Sequence, residues 1–473
     1  MGTPYTDYIR AQSYRNPCLY NLCQFLDREN KENECQITSL DFLSGNEVPR
    51  VVDLQLIDVA SLLKHSDSNT NTAGRILIIE NLTRDVVEIL GASLNIDPLF
   101  FASHIYGPTV EITASKPSSA ILPSKSKTLN FLSIQYQHTI QFHDAVPPRK
   151  LFRDSNVPRK VTILPPTKKT SIGLVQYACS VLYIRTGNYN WISIILVDPP
   201  MEDKFNSLEQ QLTLQSKPFQ GGYEDFLERQ AFPEQVDRNP QRSSLREDLV
   251  YYFQKKRPPD FRSKDPTLLS LAYYPLKIAA AEWVIYIEAM SNIIKQYEYS
   301  TETTPELTSA GQERLTTIDS DLRALQVWGR RSLQTLSKLR SGLRFLKYRT
   351  KDVQEDEYLT LIDDYEHLIS MVDIYRHRLE TLVPLLTSVV QITDTRRSLR
   401  EAANVTRLTN LALFFVPLSF VSSLFSINEG VSAKVYGYYF AVAIPVFGIV
   451  FFLAHPPESI KWLGYVGRRG ISD

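Results

Sequence analysis

The chain has 473 residues, with 52 Lys or Arg against 52 Asp or Glu and 43% hydrophobic residues. That length exceeds one ordinary core and implies two or three structural units. Zero net charge and a pI near 7.1 exclude a nucleic-acid binder that works by bulk charge, and a mean hydropathy of -0.19 excludes a chain that lies mostly within a membrane.

Residues 1–48 read as an N-terminal extension. The opening Met-Gly-Thr-Pro-Tyr-Thr matches a myristoylation pattern at Gly2, but a short, loosely constrained pattern matches by chance too often to carry weight. No apolar run follows a basic start, so no secretory signal is read. Cys18, Cys23, Cys35 and Cys179 have spacings that fit no zinc module and are too sparse for a disulfide framework. They read as free thiols in a reducing compartment.

Residues 49–236 read as a mixed α/β domain. The β-branched and aromatic content of residues 75–80 (RILIIE), 132–142, 172–185 and 191–198 predicts strands. Residues 85–94 predict a helix with Val86, Ile89 and Leu90 on one face. Residues 113–127, rich in Ser, Pro and Lys, read as a loop or disordered insertion. The polar, Pro-bearing stretch 237–265 reads as the join between the α/β domain and a set of helices. Residues 237–354 together form a linker and helical bundle. One helix over 268–297 carries Trp283, Ile287, Met290 and Ile294 on one side. A second stripe runs through Leu315, Ile318, Leu322, Leu325, Leu336, Leu339, Leu343 and Leu346, with Arg323, Arg330 and Arg340 off it.

From Tyr358 to Val389 apolar residues recur at heptad spacing, and no Gly occurs between residues 351 and 429. Pro384 should kink this helix rather than end it. A stalk helix over 355–407 is therefore predicted to run on into a membrane span, about 110 Å in all at 1.5 Å per residue. Such a helix needs helical partners, and its continuation into the membrane predicts that it pairs with copies of itself.

Residues 408–428 (LTNLALFFVPLSFVSSLFSIN) carry no charge, and neither do residues 435–454 (VYGYYFAVAIPVFGIVFFLA). Each run is about 20 residues, enough for a helix to cross a hydrocarbon core about 30 Å thick. Arg396, Arg397, Arg400 and Arg407 precede the first run, while Lys461, Arg468 and Arg469 follow the second. Basic flanks stay cytoplasmic, so both termini and the tail 455–473 are placed there, in a plasma or organelle membrane. The loop 429–434 is external, with Tyr436, Tyr438 and Tyr439 at its interface.

No phosphate-cradling loop, nucleophile elbow or paired-His motif occurs, and the chain does not read as an enzyme. His138 and His143 read as surface or packing residues. The first span is more informative, because Thr409, Asn410, Ser419, Ser422, Ser423, Ser426 and Asn428 interrupt its apolar character. Polar side chains within hydrocarbon favour a helix partner or a water-filled path. Copies of this helix around an axis would set Asn428 amide oxygens in a ring at the external mouth. Such a ring can hold a divalent cation through its water shell, which Mg²⁺ gives up reluctantly.

These features resemble the CorA-type divalent cation channels. The run RLTNLALFFVPLSFVSSLFSIN is similar to that family's pre-membrane Leu-Thr (Leu408, Thr409), mid-span Pro-Leu-Thr/Ser (Pro417, Leu418, Ser419) and terminal Asn (Asn428). YEHLISMVD (365–373) resembles the stalk segment, and RILIIENLTRDVVEILGASLNIDPLFF (75–101) the strand-helix unit. The resemblance covers most of the chain from about residue 50, and its long polar insertions point to a eukaryotic, fungal branch.

The resemblance implies an α+β cytoplasmic domain, a helical bundle, and one very long stalk helix that becomes the first of two transmembrane helices in a funnel-shaped homopentamer. It implies Mg²⁺ or another divalent cation as the substrate, the bilayer and copies of the chain as partners, and no resident cofactor. Asn428 would form the entrance ring and Ser419 a deeper polar ring, with Val416, Leu408 and Val405 as apolar constrictions. Glu429 would attract cations at the mouth, and Asp363 falls where relatives carry an intersubunit metal-sensing acid. Two departures matter. The family's Gly-Met-Asn is Ser426-Ile427-Asn428 here, and Ala102-Ser103 replaces an acidic pair. The first of these motivates a second reading, a non-conducting membrane-anchored scaffold or regulatory homologue.

Overall fold

A computed structural model describes residues 4–28, 32–43, 48–64, 72–106, 122–147, 149–164, 171–186, 190–207, 210–227, 244–302, 309–351, 355–426 and 433–454. The chain divides into two compact units, residues 1–302 with 323–382, and residues 303–322 with 383–473.

The first unit opens with α1 (Pro4–Ser13) and α2 (Tyr20–Leu26), followed by β1 (Gln36–Leu43), β2 (Arg50–Leu54), α3 (Leu56–Lys64), β3 (Thr72–Glu80), α4 (Arg84–Leu94), α5 (Pro98–Ile105) and α6 (Pro123–Thr128). Next come β4 (Phe131–Phe142), β5 (Leu151–Arg153), β6 (Lys160–Ile163), β7 (Ile172–Thr186), β8 (Asn190–Val197), β9 (Lys204–Ser207), β10 (Gln211–Thr213) and β11 (Ser216–Pro218). The described strands form one mixed sheet, ordered β10-β9-β5-β6-β7-β8-β3-β1-β2, with β4 on β7 and β11 on β4. Strand β7 is long enough, at 15 residues, to serve three partners. It pairs β4 along one edge, and β6 then β8 along the other. The pair β3–β8 is parallel. The four predicted strands and the helix α4 stand where residue chemistry placed them.

The two faces of the sheet differ, because side chains alternate along a strand and paired residues share a face. One face presents Ile37, Leu77, Ile79, Leu182, Ile194 and Leu196, which share a core with Val86, Leu90 and Phe100. The other carries Ile76, Ile78 and Ile195, but also Glu80, Arg153, His138, Tyr136 and Tyr177, all buried or nearly so.

The segment before residue 49 is part of this domain, not an appendage to it. Strand β1 lies between β2 and β3, and Tyr5, Ile9, Leu22 and Phe25 are buried in the apolar core. The Glu88 carboxylate accepts from the backbone amides of Tyr5 (3.0 Å) and Thr6 (2.9 Å), two of the donors that a helix N-terminus leaves open. The stretch 237–265 is likewise more than a join. It holds α7 (Leu245–Lys255), capped by Ser244 Oγ accepting from the Glu247 amide at 3.2 Å, with Leu249, Tyr252 and Phe253 buried. Phe261 packs edge-on to Trp191, whose Nε1 donates to the Ser263 carbonyl at 2.8 Å. Most of the insertion 113–127 lies outside the described residues, but its last part begins α6.

Three long helices follow: α8 (Leu268–Glu302), α9 (Ser309–Arg349) and α10 (Asp356–Ser426). Within the first unit, α8 packs on β4 and β7. Trp283, Ile287, Met290 and Ile294 are buried, as are Leu325, Leu336, Leu339 and Leu346 of α9. Tyr358, Tyr365, Leu368, Val372, Leu379 and Leu382 of α10 are buried as well. Tyrosine hydroxyls find acceptors across the bundle: Tyr358 donates to the Pro259 carbonyl (2.7 Å), Tyr365 to the Leu276 carbonyl (3.1 Å), and Tyr375 to Ser291 Oγ (2.9 Å). A hydroxyl left unpaired in such a place would be destabilising.

One charged cluster sits inside the sheet domain. Arg159 donates through Nε to both Asp198 oxygens (3.1 and 2.9 Å) and through Nη2 to Oδ1 (3.0 Å), while Asp198 also accepts from the Ala178 amide at 2.8 Å. Burial alone would raise the Asp198 pKa, but Arg159, with His104 and Arg153 adding to it, holds the carboxyl below its ordinary value. His104 is fully buried, with Nδ1 3.2 Å from Ser180 Oγ. Burial pushes its imidazole down to about 3 against the opposing pull of Asp198. Below pH 6.5 the unfolded chain therefore binds a proton that the folded chain refuses. The stability this group contributes is complete above pH 6.5 and is lost progressively toward pH 3, at about 1.4 kcal/mol per pH unit. Denaturant unfolding of the full chain at pH 7 and pH 5 checks this, and His104→Gln should flatten that slope by the same amount.

Candidate functional site

The second unit contains the end of α10 and α11 (Ala433–Ala454). Two described helices are long and apolar enough to cross a membrane, α8 and α10. They differ in burial: the apolar window of α8 is 83% buried, that of α10 only 6%. Helix α8 is thus a core helix, whereas the apolar end of α10 is largely uncovered among the described residues. Helix α11 spans 22 residues and coincides with the second uncharged run.

At 3.6 residues per turn, Val405, Leu408, Val416 and Ser419 fall within an arc of about 80° on α10. All four are exposed, with Val405, Leu408 and Val416 at 62%, 69% and 65%. On the opposite side lies Val421, which is buried, as is Ala443 of α11. The Ser422 and Tyr439 hydroxyls hydrogen-bond at 3.0 Å between the two helices. Contact with α11 is therefore made away from the Val405–Ser419 face. Pro417 stands inside the helix and leaves the Leu413 carbonyl without its usual amide donor. Thr409 satisfies its own hydroxyl on the Val405 carbonyl (2.8 Å), so it needs no partner from another helix.

Asn428, Ile427 and Glu429 lie outside the described residues, as do Lys461, Arg468 and Arg469; Ser426 is the last residue of α10. Arg396, Arg400 and Arg407 are exposed, and Arg397 pairs with Glu401 at 3.0 Å. Asp363 is exposed on the other stretch of α10, in the first unit. Beside it, burial pushes Asp364 up, with Lys277 opposing and Asp363 adding. Among the described residues no group of three His, Cys, Asp or Glu converges to hold a metal. The described residues of a single chain therefore build no chelating site at Asp363.

His143 is exposed, but His138 is more than a packing residue: its Nδ1 bonds Glu282 Oε1 at 2.9 Å. The two are 144 positions apart. Alternation along β4 puts His138 on the face of Tyr136, but nothing local announces the carboxylate facing it.

The described chain is thus an α/β domain joined to long helices, and the end of α10 and α11 are apolar and largely uncovered. Residues 253–455 match the family model described as CorA-like Mg²⁺ transporter protein. No curated protein sequence matches the chain. Among solved structures, the CorA magnesium transporter from Methanocaldococcus jannaschii is 11% identical, covering 90% of this chain and 98% of that one, at a TM-score of 0.38. The full-length CmaX protein is 13% identical, covering 89% and 99%, at a TM-score of 0.36.

Proposed function

We propose that the protein is a divalent metal cation transporter, most suited to Mg²⁺, that works as a homopentamer with the end of α10 lining its pore. The observation that carries this reading is the uncovered face of α10 within the stretch that matches the transporter family. A helix carrying exposed Val405, Leu408, Val416 and Ser419 on one side, with α11 elsewhere, suits a ring of copies around an axis. In that ring Ser419 is a polar level between apolar ones, and Asn428 with Ser426 and Ile427 forms the external mouth, where Glu429 concentrates cations. Residues 408–428 and 435–454 span the membrane, with both termini cytoplasmic, and Asp363 serves a regulatory metal site shared between copies.

Purified protein in liposomes tests this. Mg²⁺, Co²⁺, Ni²⁺ and Zn²⁺ uptake is followed with and without a pH gradient, alongside the mass of the oligomer. An inside-negative potential should drive entry, since it favours a divalent ion by about 4.6 kcal/mol per 100 mV, twice the single-charge value. A pentamer that passes none of the four ions would instead support the scaffold reading, which the retention of Asn428 alone from the triplet favours. A monomer without flux would sink the pore altogether.

A further inference from the structure

The face that carries Val405, Leu408, Val416 and Ser419 continues toward the N-terminal end of α10. Val416 and Ser419 repeat Val405 and Leu408 after eleven residues. That is close to three full turns, so the stripe drifts only about 20° per repeat and runs almost straight along the helix. The same step taken backwards leads from Val405, Leu408 and Ala412 to Asp394, Arg397 and Glu401, all six exposed. Helix α10 carries neither proline nor glycine between residues 385 and 416, so nothing interrupts the stripe there.

Charge is sorted around the helix over this stretch. The stripe holds Asp394 and Glu401 against Arg397, and so is net acidic. Arg396, Arg400 and Arg407 fall about 110° to 150° from its middle. Within the stripe Arg397 Nε donates to Glu401 Oε1 at 3.0 Å. Both side chains are well exposed, at 62% and 66%. A pair held that openly adds little to stability, and its consequence is electrostatic.

We propose that Glu401 sets the sign of charge at the cytoplasmic end of the ion path by neutralising Arg397, and so is a specificity-determining residue for cations. The inference rests on the pore reading above. In a ring of copies each chain adds its Arg397 to one level of the path, and an unpaired ring of guanidinium groups repels a divalent cation and draws anions. Glu401 stands one turn further along the stripe, about 10 Å before the span. It cancels that charge, and Asp394 then leaves this end of the path acidic. Low-dielectric walls concentrate such fields, and salt weakens them.

Mg²⁺ uptake into proteoliposomes by native and variant full-length chains tests it, with the mass of each oligomer checked. Glu401→Gln should lower uptake about tenfold at low ionic strength, and the deficit should shrink as salt is added. Arg397→Gln should raise uptake. The double variant should return to the native rate, because its stripe keeps the native net charge. Unchanged uptake in Glu401→Gln, or a loss that the double variant does not restore, would overturn the proposal while leaving the pore in place. If Glu401→Gln does not assemble, Arg397→Gln decides alone: a raised rate supports the proposal and an unchanged one overturns it. Native protein without flux would remove the pore, and this role of Glu401 with it.

Discussion

Asn428→Ala should reduce divalent cation uptake into proteoliposomes to the level of protein-free vesicles while the mass of the oligomer stays unchanged. Hydration is the reason. Mg²⁺ surrenders its water reluctantly, so a mouth that accepts it must hydrogen-bond the water shell rather than replace it. A ring of amide oxygens does this, and a ring of methyl groups does not. A substitution beyond the end of α10 removes no packed side chain from the described elements, so assembly should survive. Undiminished uptake in the mutant would remove Asn428 from the ion path, and uptake lost together with the oligomer would show a structural role instead.

Asp198→Ala should destabilise the sheet domain by about 3–5 kcal/mol, because it strands the buried Arg159 guanidinium without its counter-charge. Arg159 and Asp198 are each 2% exposed, so water cannot take over the lost hydrogen bonds. Against a typical total of about 5–15 kcal/mol, that is about a fifth of a domain's stability or more. Denaturant unfolding of the full chain in detergent measures it. The double variant Asp198→Ala with Arg159→Met should be less destabilised than Asp198→Ala alone, since no uncompensated charge then remains. A double variant as unstable as the single one would show that the cost lies in packing rather than charge.

Much of the architecture was legible from local pattern. The β-branched runs became β3, β4, β7 and β8, and the apolar stripes supplied buried residues such as Trp283, Leu339 and Tyr365 on α8, α9 and α10. What escaped were short elements whose contribution is non-local. Strand β1 and helices α1 and α2 each bury only a few apolar residues, and a polar flanking sequence hides them until the sheet gathers them together. Helix α7 was masked in the same way. Its Leu245, Leu249, Tyr252 and Phe253 follow helical spacing, but the prolines and charges around them dominate the composition.

The candidate pore divides similarly. The uncharged runs, the basic flanks and the positions of Ser419 and Asn428 are properties of consecutive residues, and the sequence by itself determined them. Burial is a property of partners, which can be hundreds of positions away, and only the tertiary structure decided it. Helices α8 and α10 are both long and apolar enough to cross a membrane, yet α8 is covered by the sheet and its neighbouring helices while the end of α10 is left bare. The same holds for His138, an ordinary strand residue until α8 brings Glu282 against it. Periodicity sets which side of a helix or strand is apolar, and long-range packing determines whether that side meets protein, a cavity or lipid.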